Sequence, residues 1–249
     1  MELTYWMLVF QALFTAGPLA AILWFLLKVR PKFPSMLSVG LVVFFGALVF
    51  LFVNSIIEFS FSPLTNPNAT AISIGYGFEI SLTEETLKLL VAALGVFIAK
   101  EESAWTDIRL SLAFLSGLTF GVWEGINHSL VYEYPSTWEL LSMWLSRAIH
   151  PLMTPTLMAG IILVLKGRKL EGALIGSSPY VTHALLDHYL SLGNYVISCV
   201  LLLLAIAAFV VAVYLLLPAV REEKERRTKF QREATVSVKD HWLMKIDGT

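Results

Sequence analysis

Long apolar runs, separated by short polar segments, are the dominant pattern of this sequence. An α-helix needs roughly 20 apolar residues to cross a bilayer. Runs of about that length cover residues 4–27, 35–57, 71–99, 108–131, 138–165, 170–191 and 195–218. The pattern therefore predicts an all-α integral membrane protein with about seven transmembrane helices.

The basic residues indicate the orientation of these spans. Sixteen of the 18 lysines and arginines lie in or next to the segments after the first, third and fifth runs, or in the tail. The segments after the second, fourth and sixth runs contain none. Lysine and arginine favour the cytoplasmic side of a membrane. We therefore predict an N-terminus outside, a transmembrane domain over residues 1–220, and a charged cytoplasmic tail over residues 221–249.

The composition agrees with a multi-pass protein of the cell membrane. Charged residues make up 15% of the chain, whereas a typical soluble domain has about 25%. The formal net charge of −1 gives no argument for nucleic-acid binding, so we expect membrane lipids and membrane proteins as partners. The single cysteine, Cys199, excludes a disulfide framework within the chain and a zinc site built from cysteines.

Charged and histidine residues inside the predicted spans are the strongest functional signal. A charge at the centre of a bilayer costs roughly 2.5–3.5 kcal/mol, and such residues face one another or a water-filled cavity. All of them lie on the third to sixth spans. Away from the span ends, they are Glu79, Glu84, Glu85, Lys88, Glu124, His128, Arg147, His150, His183, Asp187 and His188. We expect the main members of this set to form one hydrophilic site.

Helix geometry predicts some of the pairings in this site. Lys88 follows Glu84 by four residues and Glu85 by three, so it can pair with either carboxylate. The two adjacent glutamates point about 100° apart on a helix. We therefore expect one glutamate to meet the site while the other pairs with Lys88. His183 and Asp187 are four residues apart and share one face of the sixth span.

Carboxylates and imidazoles in such a pocket can catalyse hydrolysis in two ways. A glutamate can act as general base on a water molecule while histidines hold the water or the developing oxyanion. Alternatively, His150 near the middle of the fifth span, His183 and the carboxylate of Glu124 can bind zinc and leave a position open for water. Both routes lead to cleavage of a peptide bond inside the membrane, and residue spacing does not distinguish them.

Three short motifs follow one another on the third, fourth and sixth spans. Residues 84–88 read Glu-Glu-x-x-Lys, residues 120–124 read Phe-x-x-x-Glu, and residues 183–187 read His-x-x-x-Asp. This ordered set resembles the PrsW family of intramembrane proteases, which are relatives of the type II CAAX prenyl endopeptidases. The resemblance covers a motif core of about residues 71–191.

The resemblance implies a role for each of these residues. It implies catalytic roles for Glu84, Glu85, Glu124 and His183. It implies supporting roles for Lys88, Phe120, Arg147 and Asp187. If the enzyme uses zinc, the implied ligands are His150, His183 and Glu124. The implied substrate is a membrane-anchored protein, such as the anti-sigma factors that known members of the family cut on their extracytoplasmic side.

The same residues are compatible with functions of other classes. A non-catalytic scaffold, like the superfamily member in gamma-secretase, predicts the same cluster, neutralised by Lys88 and Arg147 and closed to water. A proton- or ion-coupled transporter uses membrane carboxylates and histidines as a relay, and often contains an internal repeat, which is not evident here. A metal-binding sensor predicts the cluster without a substrate groove. A purely structural origin treats Glu84 and Lys88 as a neutralised pair that fixes helix packing.

Overall fold

The computed structural model describes residues 39–49, 52, 74–99, 106–131, 147 and 149–247. The first helix, α1, covers Val39–Val49. The helices that follow are α2 (Ile74–Ile98), α3 (Thr106–Val131), α4 (His150–Leu165), α5 (Lys169–Ser191) and α6 (Tyr195–Asp247). No strand occurs in the described ranges, so the predicted all-α class is confirmed there.

Most helix boundaries in the described part agree with the apolar runs. Helix α2 lies within the predicted 71–99, and α3, α5 and α6 begin within two residues of their predicted starts. Helix α6 does not end near the predicted 218 but continues through Pro218 into the polar tail. The predicted first span, 4–27, lies outside the described residues, as do residues 35–38, 50–51 and 53–57 of the second span and 138–146 of the fifth.

Helix α4 begins inside the predicted fifth span. Arg147 is helical, Ile149 lies in a turn, and α4 starts at His150 with Pro151 in its first turn. Proline is favoured at this position because its missing N–H has no helical partner to lose and its fixed φ suits a first turn. His150 therefore lies at the start of a helix and not, as predicted, near the middle of one.

One helix of the described part is long and apolar enough to cross a membrane. It is the Tyr195–Lys229 portion of α6, whose most apolar window has a mean hydropathy of 3.2. Helices α1 and α4 are apolar but shorter. Helices α2, α3 and α5 contain charged residues, which lower their hydropathy. The described residues therefore contain one helix that could cross a membrane, which is weak support for membrane association. The sequence had predicted seven such spans.

Helices α2, α3, α4 and α6 share a buried apolar core. Ala92 of α2, Ala113 of α3, Met158 of α4 and Leu216 of α6 belong to one cluster, and the half-buried Ile175 of α5 packs against it. Burying apolar side chains stabilises a fold by about 25 cal/mol per Å². This core fixes the mutual positions of the helices that carry the polar motifs.

Glycines allow α5 to pack closely against two neighbouring helices. A Cβ atom added to Gly160 of α4 would lie 2.5 Å from the backbone of Gly176 in α5. One added to Gly77 of α2 would lie 2.7 Å from the carbonyl oxygen of Ala184 in α5. Real Cβ atoms do not approach backbone so closely, so these contacts require glycine. They draw the backbones of α2, α4 and α5 together next to the polar side chains.

A set of polar contacts, which we call the α3–α6 contact, joins the start of α3 to the polar part of α6. The backbone N–H and the hydroxyl of Thr106 both donate hydrogen bonds of 2.8 Å to the carboxylate of Glu223. The guanidinium of Arg227 donates to both carboxylate oxygens of Asp107, at 2.5 and 3.3 Å. First-turn N–H groups have no partner within their own helix. Glu223 therefore caps α3 from a different helix.

Candidate active site

The predicted site residues of four segments lie together in the interior of the bundle. Helix α2 contributes Glu84, Glu85 and Lys88, α3 contributes Phe120 and Glu124, Arg147 and His150 lie at the start of α4, and α5 contributes His183 and Asp187. Apart from Arg147, which is half-buried, these side chains are buried. Two other residues of the predicted set lie elsewhere: Glu79 is exposed, and the half-buried ring of His188 packs on Tyr189. The side chain of His128 lies outside the described set.

Glu85 is the most fully coordinated carboxylate of the cluster. Its Oε1 atom accepts hydrogen bonds from Lys88 Nζ at 2.5 Å and from His183 Nδ1 at 3.0 Å. Its exposed fraction is 0%. A buried carboxylate is stable only when it is paired and hydrogen-bonded. Glu85 therefore acts as an internal counter-charge that orients one lysine and one histidine.

Glu84 has a looser environment than Glu85. Its Oε2 atom lies 3.7 Å from Lys88 Nζ and 3.8 Å from His183 Nε2, which are both longer than a hydrogen bond. This buried oxygen accepts no hydrogen bond from the described residues. The sequence predicted that one glutamate would pair with Lys88 and the other would meet the site. Glu85 pairs closely with Lys88, in agreement with this prediction, and both glutamates also approach His183.

His150 connects the lysine of α2 to the glutamate of α3. Its Nδ1 atom lies 2.7 Å from Lys88 Nζ, and its Nε2 atom lies 2.6 Å from Glu124 Oε2. The second contact is short but does not have ideal hydrogen-bond geometry, so we treat it as a close polar contact. The rings of His150 and His183 pack edge to face, with centroids 5.0 Å apart. The two histidines therefore border one small volume from different helices.

Arg147 bridges two acidic residues on the other side of the cluster. Its Nη1 atom lies 3.2 Å from Glu124 Oε1 and 3.8 Å from Asp187 Oδ1. Asp187 in turn approaches His183 Nε2 at 3.4 Å. An arginine between two carboxylates lowers the cost of burying both, because each negative charge gains a nearby positive one. The predicted supporting residues Arg147 and Asp187 thus contact the predicted catalytic ones directly.

Two glycines of α3 that the sequence analysis did not select hold His150 in place. A Cβ atom added to Gly117 would lie 2.3 Å from the carbonyl oxygen of His150, and one added to Gly121 would lie 2.8 Å from that of Arg147. The two positions form a small-x-x-x-small pattern, which is a known signal for close helix packing in membranes. That pattern could have identified them from the sequence.

We expect Gly117→Ala to displace His150 and to lower the stability of the protein by about 1–3 kcal/mol, the usual cost of overpacking. The backbone carbonyl that the new methyl group meets cannot rotate away as a side chain can. The matched control is Gly75→Ala, because a Cβ atom at Gly75 meets nothing within 4 Å. Thermal unfolding in detergent should show a lower midpoint for Gly117→Ala than for Gly75→Ala. Equal midpoints would contradict the close approach.

Three side chains have the spacing of a metal site, but a lysine lies against one of them. Ligand atoms of Glu84, His150 and His183 lie within 4.8 Å of one another. This group contains Glu84 where the sequence had suggested Glu124. Glu85 contacts His183 Nδ1 as an outer-shell partner of a metal ligand would. His150 has no such partner at its Nδ1, because the cation Lys88 lies 2.7 Å from that atom. The residues as arranged therefore do not fit a three-ligand zinc site.

Comparison of the chain with protein-family models, with curated proteins and with solved structures finds no match. The fold and the cluster define the chain as an all-α protein with a buried site of carboxylates and histidines. The resemblance to the PrsW family therefore rests on the three motifs and on their order along the chain.

Proposed function

We propose that this chain is a multi-pass membrane protein that hydrolyses a peptide bond of a membrane-anchored protein, in the manner of PrsW-like intramembrane peptidases. The observation that carries the proposal is the buried Oε2 atom of Glu84, which has no hydrogen bond from the described residues and lies 3.8 Å from His183 Nε2. The Oε2 atom of Glu85 is buried without a hydrogen bond as well, but the Oε1 atom of that residue already accepts from Lys88 and His183. Buried acceptors in this condition cost free energy, which a bound water or substrate can offset.

Glu84 is the general base in this proposal. A water molecule can bridge two polar groups that are separated by more than a hydrogen bond. An O–H of this water donates to Glu84 Oε2, and its oxygen lies beside His183 Nε2, which is 3.8 Å from that carboxylate oxygen and 3.4 Å from Asp187 Oδ2. The lone pair of the water then points to a substrate carbonyl. Transfer of a proton to Glu84 accompanies attack on that carbonyl, which fits the role of a positioned base.

His150 and Arg147 are the donors for the developing oxyanion. Both lie against Glu124, at 2.6 Å and 3.2 Å, so this carboxylate holds the two groups in place. Donors that are held in place before the reaction stabilise a tetrahedral intermediate without reorganisation. Glu124 is thus assigned to orienting these groups, and Glu84 to the proton transfer.

The chemistry of the cluster supports a position within the bilayer. Buried acids, a lysine and an arginine lie on helices whose other surfaces are apolar and exposed, as at Leu82, Leu90 and Phe97 of α2. Exposed apolar surface of this extent is stable where lipid surrounds the helix. We therefore retain the multi-pass topology with the N-terminus outside as part of the proposal, with membrane lipids around the bundle and a membrane-anchored protein as substrate.

The experiment compares bacterial cells that express the native chain with cells that express His183→Ala. Mass spectrometry of membrane-anchored proteins should reveal new peptide termini near the outer ends of their spans with the native chain alone. Carrying out the reaction in ¹⁸O water should place ¹⁸O in the new carboxyl groups, as hydrolysis requires. His188→Ala, five residues further along the same helix, is the matched control and should retain cleavage. Identical termini with the native and His183→Ala chains would contradict the proposal.

A non-catalytic scaffold is the second candidate, and one observation favours it. Lys88 pairs with Glu85, and Arg147 pairs with Glu124, as a self-neutralised cluster would require. The Oε2 atom of Glu84 accepts no hydrogen bond from the described residues, which argues against a cluster that satisfies all of its own polar groups. If the native chain produces no new peptide termini while it remains folded, the scaffold is the better description.

A further inference from the structure

We propose that Lys88 is a positioning residue that keeps His150 in its Nε2–H tautomer, and that it thereby prevents His150 from binding a divalent metal ion. This inference deepens the proposed function, on which it rests, because it assigns His150 to hydrogen-bond donation and not to metal ligation. It concerns the protonation pattern of one ring, so it can be measured without any substrate.

The first step concerns the nitrogen of His150 that faces Lys88. A lysine ammonium has three N–H donors and no acceptor. Its Nζ lies 2.7 Å from His150 Nδ1, 2.5 Å from Glu85 Oε1 and 4.5 Å from the centre of the Phe120 ring. Each of these three neighbours can accept a hydrogen bond from the ammonium or stabilise its positive charge. His150 Nδ1 must therefore present its lone pair to Lys88.

The second step concerns the other nitrogen of the same ring. A neutral imidazole with a lone pair on Nδ1 carries its hydrogen on Nε2. That Nε2 atom lies 2.6 Å from Glu124 Oε2, which is an acceptor. The partners on both sides of the ring therefore select the same tautomer.

His183 shows the opposite arrangement in the same cluster. Its Nδ1 atom faces a carboxylate oxygen, Glu85 Oε1, at 3.0 Å, so the hydrogen lies on Nδ1. Its Nε2 atom lies 3.4 Å from Asp187 Oδ2 and 3.8 Å from Glu84 Oε2, so carboxylates face both nitrogens of this ring. The site consequently contains one imidazole with a lysine beside its Nδ1 and one with a carboxylate there, although the two rings are only 5.0 Å apart. The difference between them comes from Lys88 on one ring and Glu85 on the other.

The metal-binding consequence follows from this difference. A metal ligand needs a lone pair on the nitrogen that faces the ion, and its other N–H is normally held by a carboxylate or carbonyl. In the native chain His150 Nε2 has no such lone pair. When Lys88 is removed, a metal ion that binds Nε2 can displace the hydrogen to Nδ1, where Glu85 Oε1 is 3.7 Å away and can accept it after a small shift. The variant then offers three ligands: Glu84, His150 and His183.

The first test measures the tautomer directly. The full chain is labelled with ¹⁵N-histidine in detergent micelles, and the signals of His150 are assigned by their loss in His150→Gln. We expect an Nε2–H imidazole for His150 in the native chain and in Lys88→Arg, with or without Zn²⁺, and in Lys88→Met a change from Nε2–H to Nδ1–H when Zn²⁺ is added. An Nδ1–H signal for His150 in the native chain would overturn the proposal, because Lys88 would then be a neutral acceptor.

The second test measures metal binding, with Co²⁺ and Zn²⁺ themselves as the probes. We expect Lys88→Met to bind Co²⁺ about 10–100-fold more tightly than the native chain does, the range associated with such outer-shell partners. Lys88→Arg should behave as the native chain does, and adding His150→Gln to Lys88→Met should remove the gain. Equal affinities of the native chain and Lys88→Met would refute the proposal.

A further variant guards against a failure of Lys88→Met to fold. Removing one member of a buried ion pair leaves an uncompensated charge, which is strongly destabilising. The double variant Lys88→Met with Glu85→Gln removes both charges and keeps an oxygen acceptor beside His183, and it should show the same gain in Co²⁺ affinity. Neither measurement uses a substrate. If the tautomer is as proposed and no cleavage occurs, the proposed function fails while this inference stands.

Discussion

Replacing Glu84 with glutamine is expected to lower the rate of peptide cleavage by about 10²–10⁴-fold, the usual contribution of a positioned general base. Glutamine has the same shape as glutamate and leaves Lys88 paired with Glu85, so the fold should persist. It cannot accept a proton from water, so the loss should appear in kcat with little change in KM. Initial rates on the substrate that terminal mapping identifies provide the measurement.

The matched control for this substitution is Glu79→Gln. Glu79 lies on the same helix, five residues earlier, and is exposed. Its replacement should leave the rate within about two-fold, because surface substitutions away from special features change little. A Glu84→Gln protein that cleaves at the native rate would transfer the role of base to another carboxylate. Glu124 would then be the next to examine, because it contacts His150 directly.

Replacing Arg147 with methionine is expected to destabilise the protein by about 3–5 kcal/mol, the cost of breaking a buried ion pair from one side. The change leaves the carboxylates of Glu124 and Asp187 without the guanidinium that now lies 3.2 Å and 3.8 Å from them. Methionine retains the apolar volume of the arginine stem, so the loss reports mainly the charge. Unfolding by denaturing detergent in mixed micelles measures the change in free energy.

Two comparisons make this second result specific. Adding Glu124→Gln and Asp187→Asn to Arg147→Met should recover most of the lost stability, because no lone buried charge then remains. Arg168→Met is the surface control: Arg168 pairs with Glu171 where both side chains are more than a third exposed, and such pairs contribute about 0–1 kcal/mol. If Arg147→Met and Arg168→Met cost the same, the buried bridge is not important for stability.

The sequence predicted that polar side chains of several spans lie together, and it predicted most of the helix starts. Glu84, Lys88, Glu124 and His183 could be selected because a charge in an apolar run is costly and therefore needs a partner. The start of α4 at His150 was missed, because an apolar run does not reveal where a proline-containing segment turns. The continuity of α6 through Pro218 was also missed, because hydropathy marks the end of an apolar span and not the end of a helix.

Details of pairing could not be predicted from spacing alone. Residue spacing allowed Lys88 to pair with either Glu84 or Glu85. In the structure Lys88 binds Glu85, which also accepts a hydrogen bond from His183 of a different helix. In the same way, the position of His150 depends on the absence of side chains at Gly117 and Gly121. These are contacts between segments distant in sequence, and a pattern along one helix contains no information about them.

The α3–α6 contact has a mechanical consequence for the site. Glu223 and Arg227 hold the first turn of α3, and Glu124 lies on the same helix about 27 Å further along at 1.5 Å per residue. A helix resists bending and stretching, so moving the polar end of α6 must either carry α3 along its axis or break the bonds to Thr106 and Asp107. A molecule that binds and moves the polar end of α6 would therefore displace Glu124, the carboxylate beside His150, through the rigid helix α3.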